Sequence, residues 1–217
     1  MILIPVKNLS NAKQRLAALL DQPTRTQLAR AMLLDVLAAI HAWPNCPPVA
    51  LVTSDDFAAR RAQLFGFNVI PDRANHSETD AIEMATRVCV ERGERSTLVL
   101  PADIPLVQPA ELEQILQAAP SEGSVLVPSA DGRGSNAVWR SPAALFPLRF
   151  GNDSFKPHLS AARATRKPCV VLSLPGIGLD IDNPADLRQL AATPGETRAQ
   201  QFARQLDLSD LRSAASQ

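Results

Sequence analysis

In the run LVLPADIPLV, residues 98–107, a single carboxylate, Asp103, stands between two prolines where an apolar segment ends. A hard divalent cation such as Mg²⁺ commonly uses one or two protein carboxylates and takes its other ligands from water and substrate phosphates. One strand-end acid is therefore enough to begin a metal site. The same residue type caps helices, and a helix entered after Pro105 would use Asp103 that way. A second pair of acids lies in LDIDNPADL, where Asp180 and Asp182 fall on one face of a late strand by its period of two. Two acids on one face repel unless a cation or solvent lies between them. Both are metal candidates, and their spacing does not choose between them. Asn183 or Asp182 is expected to cap the helix begun by Pro184.

Cations accompany the acids. Lys7 ends the first apolar run, in IPVK, and is read as a phosphate contact. Lys13 falls in the expected opening turns of a helix, where the dipole disfavours a cation, and so points to an anionic ligand. Arg15 is read as a solvated helix face. The segment DGRGSNA, with Ser135 and Asn136 at its end, is either a hairpin turn or a loop offering backbone N–H groups to an anion. FGNDSFKPH supplies Gly151, an N-cap at Asn152 or Asp153, then Ser154 and Lys156 at a helix start, a second cradle for phosphate. His158, four residues after Ser154, shares its helix face and is read as lining the site. His41 and His76 have no companions that suggest chemistry. No GxGxxG follows the first strand, and no Ser/His/Asp or Cys/His nucleophilic set is evident.

These groups need elements to hold them. Short Val/Ile/Leu-rich runs alternate with longer helical patterns, which predicts an α/β fold with a mixed, mostly parallel sheet flanked by helices. The expected strands are MILIPV, PPVALVT, FNVIPD, STLVLPA, SVLVPS, SNAVWR, PCVVLSL and GLDI. Expected helices cover 24–43, with Leu28, Met32, Val36 and Ile40 in one apolar stripe, and 77–91, opened by Ser77-x-x-Asp80. Two more cover 110–118 and 185–192. Over residues 129–165 the alternation lapses, which is read as a substrate-binding insertion beside the sheet. Residues 1–195 are read as one domain and 196–217 as a polar tail.

Lys plus Arg and Asp plus Glu number 22 each, so no net field favours nucleic acid or an anionic membrane. Cys46, Cys89 and Cys169 are scattered through apolar segments, as expected of core thiols in a reducing cytosol. No apolar run reaches the length of a bilayer span, and a cytoplasmic protein is expected.

Taken together, IPVK with AKQRLA, LPADIPLV, DGRGSNAV, FGNDSF and LDIDNPADL occur in the order and approximate spacing of one family. The chain resembles, over roughly residues 1–190, the 2-phospholactate guanylyltransferases of coenzyme F420 biosynthesis, which include phosphoenolpyruvate and 3-phosphoglycerate variants. The resemblance implies a GT-A-like, Rossmann-like nucleotidyltransferase fold. It also implies Mg²⁺ as cofactor, with GTP and a small phosphorylated acid as partners in a reaction that releases pyrophosphate. Carried over motif by motif, Asp103 and the Asp180/Asp182 segment would hold metal, and Lys7 would meet phosphate or carboxylate. Ser135, where the family usually has Thr, and Gly151 with Ser154 would bind the acid. The family's GLN tripeptide at the third helix is replaced by Glu78, Thr79 and Asp80, which bears on guanine preference. A molybdopterin cytidylyltransferase-like enzyme and a catalytically silent nucleotide-binding homologue are the rival readings. The choice among three acids is left open, as is a homodimer.

Overall fold

The computed structural model describes residues 1–74 and 76–206. Seven strands form one sheet: β1 (Ile2–Val6), β2 (Val49–Thr53), β3 (Asn68–Pro71), β4 (Thr97–Val99), β5 (Gly123–Pro128), β6 (Ser135–Ser141) and β7 (Cys169–Val171). Their order is β3-β2-β1-β4-β6-β5-β7. All neighbours are parallel except β6, which runs antiparallel to both β4 and β5. The helices are α1 (Gln22–His41), α2 (Asp56–Leu64), α3 (Glu78–Glu91), α4 (Pro109–Ala118), α5 (Phe155–Ala164), α6 (Pro175–Gly178), α7 (Pro184–Ala192) and α8 (Arg198–Gln205).

β1 is buried at every position, as its unbroken apolar run requires of a strand covered on both faces. Ile2, Ile4 and Val6 join Leu28, Met32 and Val36 of α1 in one core. Leu3 faces the other way, with Ile82 and Ala85 of α3. The period of two in the strand thus divides its side chains between two helical layers. Strand order reverses between β1 and β4, the place in open α/β sheets where a crevice opens beyond the carboxyl ends.

Three expectations are corrected. GLDI is no strand; its preceding residues turn into the short α6, and Ile181 instead donates its backbone N–H to the carbonyl of Asp103 at 3.1 Å. The inside/outside alternation nevertheless survives, with Leu179 and Ile181 buried and Asp180 and Asp182 partly exposed. Within 129–165, Ser135–Ser141 lies inside the sheet rather than beside it, because β6 hydrogen-bonds on both edges. The region around Lys13 is not an α-helix but two 3-10 turns, Leu9–Asn11 and Gln14–Leu16. The α-helix starts only at Gln22, where the Asp21 carboxylate accepts from Thr24 N–H and proline fits the first turn.

Helix α8, within the segment read as a tail, packs on α1 with Ala199 and Ala203 fully buried. Asp35 of α1 caps it from a distance, accepting backbone N–H bonds from Arg198 at 3.0 Å and Ala199 at 2.8 Å. Residues 207–217, the rest of that segment, lie outside the described residues. Cys46, Cys89 and Cys169 are free thiols, of which only Cys89 is buried. Among the described residues no helix is long and apolar enough to cross a membrane. Asp35→Ala, which strands two backbone donors beside a buried Ala199, is expected to lower unfolding free energy by about 2–3 kcal/mol in urea titrations.

Candidate active site at the carboxyl ends of the central strands

Two cavities open beyond the carboxyl ends of β1 and β4. The first, about 550 Å³, is walled by Pro5–Leu9, by Asn11–Arg15, and by Ala29 and Met32 of α1. The second, about 710 Å³, is walled by the β5–β6 hairpin, by Phe150–Ser154 and by Gly178–Asp180. Arg15, Glu78, Pro101, Asp103 and Asp182 border both and form the seam between them.

The first loop is pinned from below by α2. Asp55 uses one carboxylate oxygen to cap Ala58 N–H and the other to accept Leu9 N–H at 3.0 Å. Lys13 then adopts a left-handed backbone, φ 56°, which costs a non-glycine residue on the order of 1–2 kcal/mol. That turn aims its ammonium between two acids, 2.6 Å from Asp103 and 3.0 Å from Asp182. Burial alone would depress the ammonium, but the charges of Asp103 and then Asp182 outweigh it and hold the group above its ordinary value. Arg15 takes the other oxygen of Asp182 at 3.0 Å and reaches Asn152 of the second cavity. Burial raises the Asp182 carboxyl, yet Lys13 and Arg15 bring it below the usual range.

Asp180 is placed differently. Desolvation first, and the charge of Asp103 second, push its carboxyl up to about 6, against a 2.9 Å hydrogen bond from the Asn136 amide. Asn136 also donates to the carbonyls of Ile177 and Gly178, so one amide at the start of β6 fixes the turn that carries Asp180. Because β6 is inverted, its first residues stand beside the last residues of β4 and β5. Glu78, in the first turn of α3, is pushed up to about 7 by desolvation and then by Asp103.

The second cavity presents hydroxyl donors. Ser135 N–H donates to Ser154 Oγ at 3.0 Å, and His158 Nδ1 lies 2.9 Å from Ser135 Oγ. His158 Nε2 accepts the backbone N–H of Arg149, which leaves its ring proton on Nδ1, donating to Ser135. Ser135 and Ser154 both serve as acceptors, so both hydroxyl protons are free to point at a ligand. His158 is completely buried and borders neither cavity: it positions Ser135 rather than lining the site. Gly151, at φ 126°, lines this cavity in a conformation open to glycine. The loop is tied down by Arg133 to Asp153 at 2.6 Å and by Thr79 Oγ1, which accepts Phe150 N–H at 3.0 Å.

Of the residues singled out from sequence, Lys7 and Lys13 border the first cavity, Ser135, Gly151, Ser154 and Asp180 the second, and Asp103 and Asp182 both. Asp103 caps no helix; α4 starts at Pro109, capped by Gln108 with Glu111 reciprocating. The helix starting at Phe155 has Ser154 at its N-cap position rather than Asn152 or Asp153, and Lys156 borders neither cavity. Asn183 caps α7 as expected, with Asp186 completing a capping box. Arg15 is solvent-exposed as expected, but it sits on the 3-10 turn Gln14–Leu16 rather than an α-helix, and it borders both cavities. Asn136 and Glu78, noted in the sequence only as the end of the DGRGSNA loop and as part of the replaced GLN tripeptide, also border the site. Asn136 directly follows Ser135 at a strand start, a signal that becomes visible only once β6 is known to be inverted.

Among the described residues, no group of three or more His, Cys, Asp and Glu side chains that could hold a metal ion is present. Asp103, Asp180 and Asp182 therefore do not form a three-carboxylate cage, and both oxygens of Asp182 are engaged by Lys13 and Arg15. Asp103 and Asp180 remain as a two-carboxylate set. That set suits a hard cation whose other ligands come from water and phosphate, and such a cation would relieve the repulsion that raises Asp180.

A family model described as "Guanylyl transferase CofC like" matches residues 1–217. The chain belongs to this family. It is 33% identical to a phosphoenolpyruvate guanylyltransferase of Rubrobacter xylanophilus, over 88% of this chain and 93% of that one. It is 29% identical to the 2-phospho-L-lactate guanylyltransferase of Methanothermobacter thermautotrophicus, over 94% and 89%. Among solved structures, it resembles a Desulfovibrio desulfuricans G20 protein described as a nucleotide-diphospho-sugar transferase. The TM-score is 0.77 at 16% identity, covering 94% and 93% of the two chains. A cytidylyltransferase from Leptospira borgpetersenii shares the fold at a TM-score of 0.58 and 12% identity, covering 98% and 92%. The CofC-like chain thus has the mixed, mostly parallel nucleotidyltransferase sheet, with its crevice at the β1/β4 reversal.

Lys13→Met leaves two acids facing each other and is expected to lower stability by about 1–3 kcal/mol, a loss that Asp103→Asn partly restores in a double-mutant cycle. His158 gives a pH signature. Burial first, and Arg140 second, lower its imidazole from 6.5 to about 4 in the folded protein. Its contribution is therefore complete above the unfolded value of 6.5 and is lost as pH falls towards 4. Between pH 7 and 4 the wild type is expected to lose roughly 3 kcal/mol relative to His158→Gln, read from denaturant midpoints.

Proposed function

We propose that the protein transfers GMP from GTP to the phosphate of a three-carbon acid, 2-phospholactate, phosphoenolpyruvate or 3-phosphoglycerate, in coenzyme F420 biosynthesis. The observation that carries this reading is the pair of cavities meeting at Asp103, one rich in cations and the other in hydroxyl donors. Family membership and the names of its guanylyltransferase relatives support it.

GTP enters the first cavity. Its base lies towards Ala29 and Met32, and its triphosphate towards Lys7 and Lys13. The acid enters the second, its carboxylate accepting from the Ser135 and Ser154 hydroxyls while the Gly151 turn closes around it. An acid phosphate oxygen attacks the α-phosphorus of GTP at the seam. A P–O bond forms there as the α–β bridging bond breaks, and pyrophosphate leaves with its electron pair. The attacking phosphate is largely dianionic near neutral pH, so no general base is required. The remaining work is alignment and charge neutralisation, and this accounts for the missing nucleophilic triad. Arg15, held between Asp182 and Asn152, spans the seam beside the transferring group and fixes the two cavities relative to each other.

Mg²⁺ belongs to this proposal, with Asp103 and Asp180 as its protein ligands; when bound it neutralises phosphate oxygens and favours in-line displacement. Asp182 instead orients Lys13 and Arg15. The expected outcome is pyrophosphate release from GTP and Mg²⁺ with at least one of the three acids. Asp103→Asn is expected to reduce kcat by about a hundredfold or more without loss of the thermal transition. Folded protein that releases no pyrophosphate with any acid and any nucleoside triphosphate would refute the proposal.

A further inference from the structure

Glu78 stands at the seam without a partner. Its carboxyl borders both cavities, yet it accepts no hydrogen bond and makes no ion pair with any described residue. The other charged seam groups are engaged: Asp103 by Lys13, Asp182 by Lys13 and Arg15. The backbone beneath Glu78 is fixed on both sides, by Ser77 capping Asp80 N–H at 3.0 Å and by Thr79 holding Phe150. A half-buried acceptor on a fixed backbone, bordering both cavities with no donor of its own, is a group awaiting one, since leaving it unmade is costly.

The parts of the substrates that cross the seam differ in what they offer. Phosphate and carboxylate oxygens are acceptors and offer the Glu78 carboxylate no donor. The ribose of the nucleotide offers two neighbouring hydroxyl donors, one linkage away from the α-phosphate that must lie at Asp103. The base is carried past the seam, towards the more apolar wall of Leu9, Ala29 and Met32. Carboxylates accept ribose hydroxyls in the same way at other nucleotide sites at strand carboxyl ends.

We infer that Glu78 accepts hydrogen bonds from the ribose hydroxyls of the bound nucleotide and makes the enzyme selective for ribonucleotides over deoxyribonucleotides. The inference rests on the assignment of the nucleotide to the first cavity.

The test is direct binding of GTP, 2′-deoxy-GTP and 3′-deoxy-GTP to the full chain by calorimetry, in wild type, Glu78→Ala and Glu78→Gln. Wild type is expected to bind at least one deoxy analogue about tenfold or more weakly than GTP. In Glu78→Ala the affinity for GTP falls to that of the analogue and the discrimination disappears. Glu78→Gln, which keeps one acceptor oxygen and the shape, is expected to lie between, and it serves if the alanine variant does not fold. Equal binding of all three nucleotides by wild type overturns the inference, as does discrimination that survives in Glu78→Ala. So does a Glu78→Ala effect confined to the KM of the acid, which would place the carboxyl against the other substrate. In these cases pyrophosphate release with GTP still leaves the proposed function standing. A folded protein that binds no nucleotide removes both.

Discussion

The ammonium of Lys13, wedged between Asp103 and Asp182, is the interaction on which the site is built. Three segments distant in sequence meet there: the loop after β1, the end of β4 and the approach to α7. Two carboxylates brought to one place repel, and one buried cation between them offsets that cost. The interaction requires Lys13 to take a left-handed backbone, and the loop tolerates it because Asp55 of α2 anchors Leu9 a few residues before. Strain in the loop is thus offset by charge pairing in the site, a balance found where function demands a fixed side chain.

Around that point the protein separates two kinds of chemistry. One side gathers cations from the first loop. The other gathers hydroxyls that each accept one internal bond, from His158 or from a backbone N–H, so that their protons are free to point into the cavity. The histidine does this while itself completely buried and neutral, a role that burial near Arg140 enforces. Arg140 is likewise fully buried, donating to Thr86 of α3 and to the carbonyl of Phe146, while Glu83 accepts Leu148 N–H. Beneath the loop at residues 150–154 there is therefore a polar layer joining β6, α3 and residues 146–149, rather than an apolar core alone.

Much of the frame was legible. Apolar runs of strand length marked all seven strands, and stripes of Leu, Met, Val and Ile marked α1, because these patterns depend on local burial and on fixed side-chain periods. The proline-flanked Asp103 and the capped start of α7 were readable for the same reason. The failures share a cause too. GLDI alternates as a strand does, but alternation reports which side chains are buried and not whether a ladder exists; here the backbone bonds Asp103 instead of a neighbouring strand. The stretch around Lys13 contains good helix formers, yet Asp21 and Pro23 start the helix later, and the tertiary ion pairs decide the conformation before it.

Sequence by itself determined the residue types available for phosphate chemistry, their order along the chain and the class of sheet that carries them, since these follow from local pattern and composition. It also carried the family resemblance, which rests on motifs rather than on contacts. Only the tertiary structure decided how they combine: that Asp180 borders the second cavity under the Asn136 amide while Asp182 is consumed by Lys13 and Arg15, that Arg15 works at a seam, and that His158 stands behind Ser135. These outcomes turn on the inversion of β6 and on pairings across as many as 169 residues. Charge pairing and desolvation depend on distance in space, and sequence spacing does not encode that distance until the chain has folded.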